Sequence, residues 1–231
     1  MQGHHNSKKT IYIKLFAGLG NQLFQYSYGQ YLKQQGNKVK YILYYTKNCI
    51  LDVFELACPE IRVFKNRSVE RLYRLALALF GYKVLWGFWQ KNEYAQAATY
   101  QLWQCLVNKE KYKNDPLYEF VKNENVTAMH IRGGDYLDNQ TYLTYGNICT
   151  KEYYLKALEK LDSIDSVVVF TNDKEYASTI VSYINKEIIW AENFNYKSNI
   201  GFELFIMASS RNLIIANSTF SLWAGLFLQN P

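Results

Sequence analysis

Histidine occurs at only three positions, 4, 5 and 130, and the interior one opens the stretch "MHIRGGDY" at residues 129–136. His130, Arg132 and Asp135 are residue types that manage protons and anionic groups. Arginine carries a planar, permanently charged donor fork suited to phosphate, and an imidazole beside it can add a hydrogen bond to the same anion. If "VTAMHIR" is a strand, His130 and Arg132 share one face while Ile131 takes the other. They then lie at the carboxyl end, where open α/β sheets bind ligands. Gly133 and Gly134 permit a sharp turn and a close backbone approach, and Asp135 leaves that turn beside them. The chemistry implied is stabilisation of a phosphate or pyrophosphate with a carboxylate nearby. A buried His–Asp or Arg–Asp pair that fixes the turn accounts for the same residues.

A second glycine stretch, "AGLGNQLF", follows the first apolar run. Gly18 and Gly20 satisfy only G-x-G, because Leu23 stands where a dinucleotide fingerprint has its third glycine, and no acidic residue ends "KVKYILYYT" to hold a ribose. Nicotinamide binding is disfavoured. The P-loop pattern G-x-x-x-x-G-K-[ST] is absent, as is the G-x-S-x-G of the α/β-hydrolases, and the chain has too few clustered His, Cys and carboxylates for a metal site. What remains is a tight strand-to-helix turn whose N–H groups could face an anion, or one that serves packing alone.

These turns need a scaffold of strands and helices. "TIYIKLF" reads as a buried strand, and "NQLFQYSYGQYLKQQG" as a helix stopped by Gly36. "KVKYILYY" reads as a strand, "SVERLYRLALALFGY" as a helix capped by Ser68 and stopped by Gly81, "KVLWGFWQ" as a strand and "EYAQAATYQLWQCLV" as a helix. The polar "NKEKYKNDPLYEFVKNEN", which contains Pro116, leads to a domain boundary, with domains at 1–124 and 125–231. Beyond it the alternation restarts with "VTAMHIR", "SVVVFTN", "EIIW" and "NLIIAN" as strands, and "TKEYYLKALEKLD", "DKEYASTIVSYI", "NIGFELFIMASSR" and "TFSLWAGLFL" as helices. Such alternation favours parallel sheets flanked by helices. The expected fold class is α/β, with two Rossmann-like β/α domains facing a cleft.

The 231 residues carry a net charge of +6, unevenly spread. Residues 1–125 hold 18 Lys+Arg against 9 Asp+Glu, while residues 126–231 hold 8 against 11. A basic N-terminal half suits an anionic substrate or membrane surface, or is a solvated basic face. Scattered basic residues without a nucleic-acid-binding signature argue against nucleic acid. The four cysteines form no C-x-x-C pair, which points to reduced thiols in a cytoplasmic protein. "LALALFGYKVLWGFW", residues 75–89, is too short and interrupted to span a bilayer. A buried helix followed by a buried strand is its first reading, and peripheral membrane contact its second.

Taken together, "AGLGNQLFQYSYGQYL", "VLWGFWQKNEYA", "MHIRGGDY", "TKEYYLKALEKL", "VVVFTNDKEYA" and "FELFIMASSRNLIIANSTFSLWAGL" resemble, in order and approximate spacing, the bacterial α-1,2-fucosyltransferases of glycosyltransferase family 11. The resemblance implies a GT-B-like fold, GDP-fucose as donor, a terminal galactose as acceptor, inversion at the fucose anomeric carbon, and no metal or other cofactor. Arg132 with His130 would bind the donor diphosphate and offset the charge of the departing GDP. Asn217, Ser218, Thr219 and Phe220 would line the donor pocket, though they could equally form a helix N-cap. Asn172 and Asp173 would sit near the nucleotide. Gly18, Gly20, Asn21 and Gln22 would contribute to donor binding from the N-terminal, acceptor-side domain, and Asp135 would be the general base or hold Arg132. This chain has Gly133 where many relatives carry a second arginine, Asn172 in place of the first of two aspartates, and Leu222 in place of a tryptophan. Relatives generally continue past the last block, so the C-terminal domain is expected to be shortened.

The activity expected is galactoside α-1,2-fucosyl transfer, a hexosyltransferase reaction of polysaccharide biosynthesis, on a galactose-terminated and lipid-linked glycan. The enzyme would work in the cytoplasm or peripherally at the inner face of the membrane. Two alternatives stay open: a related glycosyltransferase of other linkage or donor, and a truncated, catalytically silent protein that binds nucleotide or glycan.

Overall fold

The computed structural model describes residues 10–56, 60–123, 125–134, 148–194 and 199–228. The chain divides into two compact units, Met1–Leu106 and Val107–Pro231. In the first unit β1 (Ile11–Leu15) leads through α1 (Leu19–Gln34), β2 (Val39–Tyr44) and α2 (Ile50–Val53) to β3 (Ile61–Phe64). Then follow α3 (Arg67–Leu79), β4 (Lys83–Leu85), α4 (Asn92–Gln96) and α5 (Thr99–Cys105). The strands lie in the order β3-β2-β1-β4, every pair parallel.

The second unit opens with α6 (Lys109–Lys113) and α7 (Pro116–Val121) and then builds its sheet from β5 (Val126–Ile131), β6 (Ser166–Thr171), β7 (Glu187–Trp190) and β8 (Asn212–Ile214). Its further helices are α8 (Lys151–Leu158), α9 (Lys174–Val181), α10 (Ile200–Ser209) and α11 (Thr219–Leu228). The order β7-β6-β5-β8, again all parallel, repeats that of the first unit. β5 is buried at every residue, as a strand covered on both faces must be, which is why it reads as a continuous apolar run rather than an alternating one. In each unit the strand order reverses between the first and fourth strands. The crevice outside their carboxyl ends is where sheets of this kind take ligands.

Several sequence expectations are corrected. The polar stretch ahead of the expected 124/125 boundary is helical and belongs to the second of the two units, which divide at 106/107. Pro116 opens α7, where a missing N–H costs nothing, and Asp115 caps it by accepting the Leu117 N–H at 2.9 Å. Tyr118 stacks on Phe205 of α10 with ring centroids 5.5 Å apart, and Tyr112 of α6 meets Phe202 edge-on at 5.4 Å. The single helix expected over "EYAQAATYQLWQCLV" is two, broken at Ala97 and Ala98. β3 was not foreseen: it is four residues long and half exposed. Asn66, not Ser68, caps α3, its side chain accepting from the N–H groups of Ser68 and Val69. Gly36 and Gly81 do end their helices, with φ of 77° and 72°. The helix and strand expected to be buried across residues 75–89 instead leave Leu75, Leu79, Phe80, Trp86 and Phe88 exposed.

Candidate active site

The second unit carries the "HIRGG" stretch on its central strand. Met129 and Ile131 join the apolar core with Tyr154, Val167, Val169 and Ile180. Strand alternation therefore sends His130 to the opposite face, where its ring meets Phe220 of α11 edge-on, centroids 6.0 Å apart. His130 is 5% exposed, and its Nδ1 has no hydrogen-bond partner among the described residues. Burial, and then the nearby Arg132 guanidinium, push its pKa from 6.5 down to about 3. The imidazole is thus neutral at neutral pH, suited to a hydrogen bond with an anion rather than to carrying charge.

The turn after β5 is held from β6. The Asn172 amide pairs with the backbone of Gly133, accepting its N–H at 3.1 Å and donating to its carbonyl at 3.2 Å. Asp173 Oδ2 accepts the Gly134 N–H at 2.9 Å, and Oδ1 caps α9 by accepting the Tyr176 N–H at 3.0 Å. Both side chains, expected near the nucleotide, use their polar atoms to fix the glycine turn. That geometry leaves no room for a side chain at position 133. A Cβ there would lie 2.8 Å from Asp173 Cβ and 2.9 Å from Tyr176 Cδ1. Gly134 has φ of 64° and faces Asn172 Nδ2 just as closely.

The "NSTF" residues form the entry to α11. Ser218 Oγ accepts the Phe220 N–H at 3.3 Å and the Ser218 carbonyl accepts the Leu222 N–H at 2.9 Å, as an N-cap residue does. Thr219 and Phe220 are the first helical residues. Asn217 precedes the cap, and its N–H donates to Cys149 Sγ at 3.1 Å. The first N–H groups of a helix lack internal partners and carry the positive end of its dipole. Arg132, the unpartnered His130 Nδ1 and this helix start are together at the switch point between β5 and β8. The ensemble can bind a compact anion such as a diphosphate.

Three residues that the sequence reading missed shape this end. Tyr154 Oη donates to the His130 carbonyl at 3.2 Å, and Tyr153 Oη to the Ile215 carbonyl at 2.7 Å, so adjacent tyrosines of α8 pin the ends of β5 and β8. Ser221, fully buried, accepts the Ala216 N–H at 3.2 Å and steadies the turn into α11. The Tyr-Tyr pair was visible in "TKEYYLKALEKL", but nothing in a sequence says which carbonyls it would reach. Asp135 lies outside the described residues. Among the described residues no three His, Cys, Asp or Glu side chains gather as metal ligands.

The other expected donor-side residues belong to the first unit. Gln22 is buried, donating to the Ala17 carbonyl at 2.8 Å and accepting the Ile50 N–H at 3.0 Å. Asn21 accepts from Gln90 Nε2 at 2.8 Å. Gly18 precedes α1 as its N-cap with open space where a Cβ would stand, and Gly20 is buried in the first turn. These residues build the β1–α1 turn and are not brought together with His130 and Arg132 within either unit.

Two Rossmann-like units of parallel strands, one with groups suited to an anion gathered at its switch point, define an α/β protein of GT-B type. POFUT1 in complex with GDP matches at a TM-score of 0.58 and 13% identity, covering 96% of this chain and 95% of that one. A mutant of Arabidopsis thaliana FUT1 in complex with GDP matches at 0.53 and 10% identity, covering 96% and 68%. The sequence is more specific than the fold: the model of glycosyl transferase family 11 matches residues 2–230, and the chain belongs to that family. It is 26% identical over 274 residues to an alpha-1,2-colitosyltransferase of Escherichia coli, covering 95% of this chain and 88% of the relative. It is 23% identical over 269 residues to the O-antigen biosynthesis glycosyltransferase WbnK of Escherichia coli, covering 92% and 88%. The protein is a fucosyltransferase-like glycosyltransferase.

Proposed function

We propose that this protein transfers L-fucose from GDP-fucose to the 2-hydroxyl of a galactose-terminated glycan, with inversion at the fucose anomeric carbon. The observation that carries this reading is the convergence of Arg132, neutral His130 and the α11 N-terminus at one switch point, in a chain of family 11. The acceptor oxygen bonds to the anomeric carbon as the bond to the β-phosphate oxygen breaks, and that electron pair leaves with GDP. Negative charge grows on the diphosphate in the transition state. A preorganised guanidinium and helix N-terminus stabilise it more there than in the ground state, which is what lowers a barrier. The hydroxyl proton passes to a carboxylate or to solvent, and Asp135 is our candidate for the base. In this reading no divalent cation is needed to balance the leaving charge.

A donor with a different sugar is the second reading, favoured by the relative named for colitose transfer. The test is incubation of the purified protein in EDTA with a panel of GDP-sugars and galactose-terminated acceptors. Mass spectrometry and linkage analysis identify the products. A fucosylated product linked through the 2-hydroxyl supports the proposal. Transfer only from another GDP-sugar moves it to the second reading, and GDP binding without any product makes the protein a silent relative.

A further inference from the structure

In the first unit α3 packs on the sheet through Leu77 and Tyr73, yet leaves most of its apolar residues outside. A helix packed on a sheet normally buries its apolar stripe and turns its charges to water. Here Glu70 faces inward, 1% exposed, with Lys14 Nζ at 3.6 Å and Arg74 bonded to it. Leu72, Leu75 and Leu79 follow one another at helical spacing on the outer side, with Val69 before them and Phe80 after. Leu72 is 65% exposed, Leu79 88% and Phe80 77%. This is a continuous apolar stripe rather than the scattered exposed leucines found on any surface. A rim of arginine borders it: Arg67, Arg71 and Arg74 sit on the adjoining flank and, with Lys14 and Trp86, line an open cavity of about 610 Å³.

We infer that α3 is a docking surface for an anionic phospholipid bilayer. Its apolar stripe enters the interface between head groups and acyl chains, and Arg67 and Arg71 meet lipid phosphates. An amphipathic helix with a basic flank and a large apolar face lies in the plane of the interface, and each basic residue near an anionic surface strengthens the attachment. Trp86, 71% exposed beside the cavity, is a side chain that favours the same depth. Charge selects this occupant over a second copy of the chain. Two copies meeting symmetrically through α3 would bring like arginine rims together, whereas an anionic lipid surface is complementary to them. Among the described residues no helix is long and apolar enough to cross a membrane, so the attachment is peripheral.

The experiment is co-sedimentation of the full chain with vesicles of phosphatidylcholine alone and of phosphatidylcholine mixed equally with phosphatidylglycerol. Three double variants accompany it: Leu79→Ser with Phe80→Ser, Leu72→Ser with Leu75→Ser, and Arg67→Ser with Arg71→Ser. All six side chains are exposed, so folding, checked by circular dichroism and thermal melting, is retained. The wild type is expected to bind the anionic vesicles and not the neutral ones, and each double variant to bind at least about tenfold more weakly. Equal binding to both vesicle types, no binding, or variants that bind like the wild type would overturn the proposal. So would a concentration-dependent dimer that the leucine variants dissolve in the absence of any vesicle binding.

Discussion

The two units share one strand order and one problem, the glycine turn at the end of the first strand, and they solve it differently. In the first unit the answer comes from inside α1. Gln25, fully buried, accepts the Phe16 N–H at 2.8 Å and donates to the Gly87 carbonyl at 3.1 Å, tying the ends of β1 and β4 together. Gln22 ties Ala17 to Ile50 in the same way. The polar groups at that switch point are thereby engaged in holding the fold. In the second unit Asn172 and Asp173, from the end of the neighbouring strand, hold the turn, so the groups on the central strand are not needed for it. His130 Nδ1 has no hydrogen-bond partner among the described residues, and it lies beside Arg132 and the start of α11. A polar side chain between two carboxyl strand ends is thus a clamp in one unit and, on the function proposed above, a receptor in the other. What separates them is whether a second element already supplies the clamp.

This contrast can be broken experimentally. The largest effect is expected for Arg132→Ala, which should reduce kcat about 10²- to 10³-fold, the usual cost of losing a donor aimed at developing charge. Its melting temperature should fall less than that of Gln25→Leu. Steady-state kinetics and a thermal scan check both halves. Gln25→Leu should do the reverse: it removes the bridge between the part-buried Phe16 N–H and Gly87 carbonyl and should cost about 1–3 kcal/mol in urea unfolding. The protein that remains folded should keep its specific activity. An equal activity loss in both variants would erase the distinction between clamp and receptor.

Smaller changes sharpen it. Gly133→Ala forces a methyl against Asp173 and Tyr176 and should destabilise by about 2 kcal/mol, with transfer impaired because Arg132 is displaced. Stability should also depend on pH through His130. Its folded pKa of about 3 lies below the ordinary 6.5, so the unfolded chain takes up the proton first. Stability is then full above about pH 6.5 and lost progressively as pH falls toward about 3. Between about pH 7.5 and about pH 5.5 the loss should be about 1.4 kcal/mol, read by urea unfolding against a His130→Gln control that lacks it. Smallest, Ser221→Ala should cost about 1 kcal/mol of stability and weaken GDP binding through the loosened turn into α11.

The architecture was legible because parallel sheets write long apolar runs between helical spacings, and β5, β6 and α1 stand out for that reason. β3 was not, since four residues with an exposed arginine carry too little pattern. The helices before β5 were hidden by composition: lysine, asparagine and proline suggest a linker until Asp115 and Pro116 are recognised as a cap and first turn. At the site, strand alternation made the face of His130 legible, while Arg132 lies one residue beyond β5. The work of Asn172 and Asp173 was not legible, because it depends on β6 lying beside β5 in a particular register. α3 was legible in amphipathicity, but which of its apolar residues would face outward was not. Buried Leu77, and Glu70 paired with Lys14 of a strand far off in sequence, reveal which side faces in.

The central claim is that the β5–β8 switch point of the second unit receives the nucleotide diphosphate. His130 is a built-in reporter, since the other two histidines lie at positions 4 and 5. The most direct measurement is a histidine side-chain NMR titration with GDP, run on the wild type and on Arg132→Ala and paired with calorimetry. The account requires a saturable shift of the His130 resonances with the same midpoint as the heat of binding, and loss of both in the variant. Calorimetric saturation with His130 unmoved would contradict it and send the nucleotide elsewhere on the molecule.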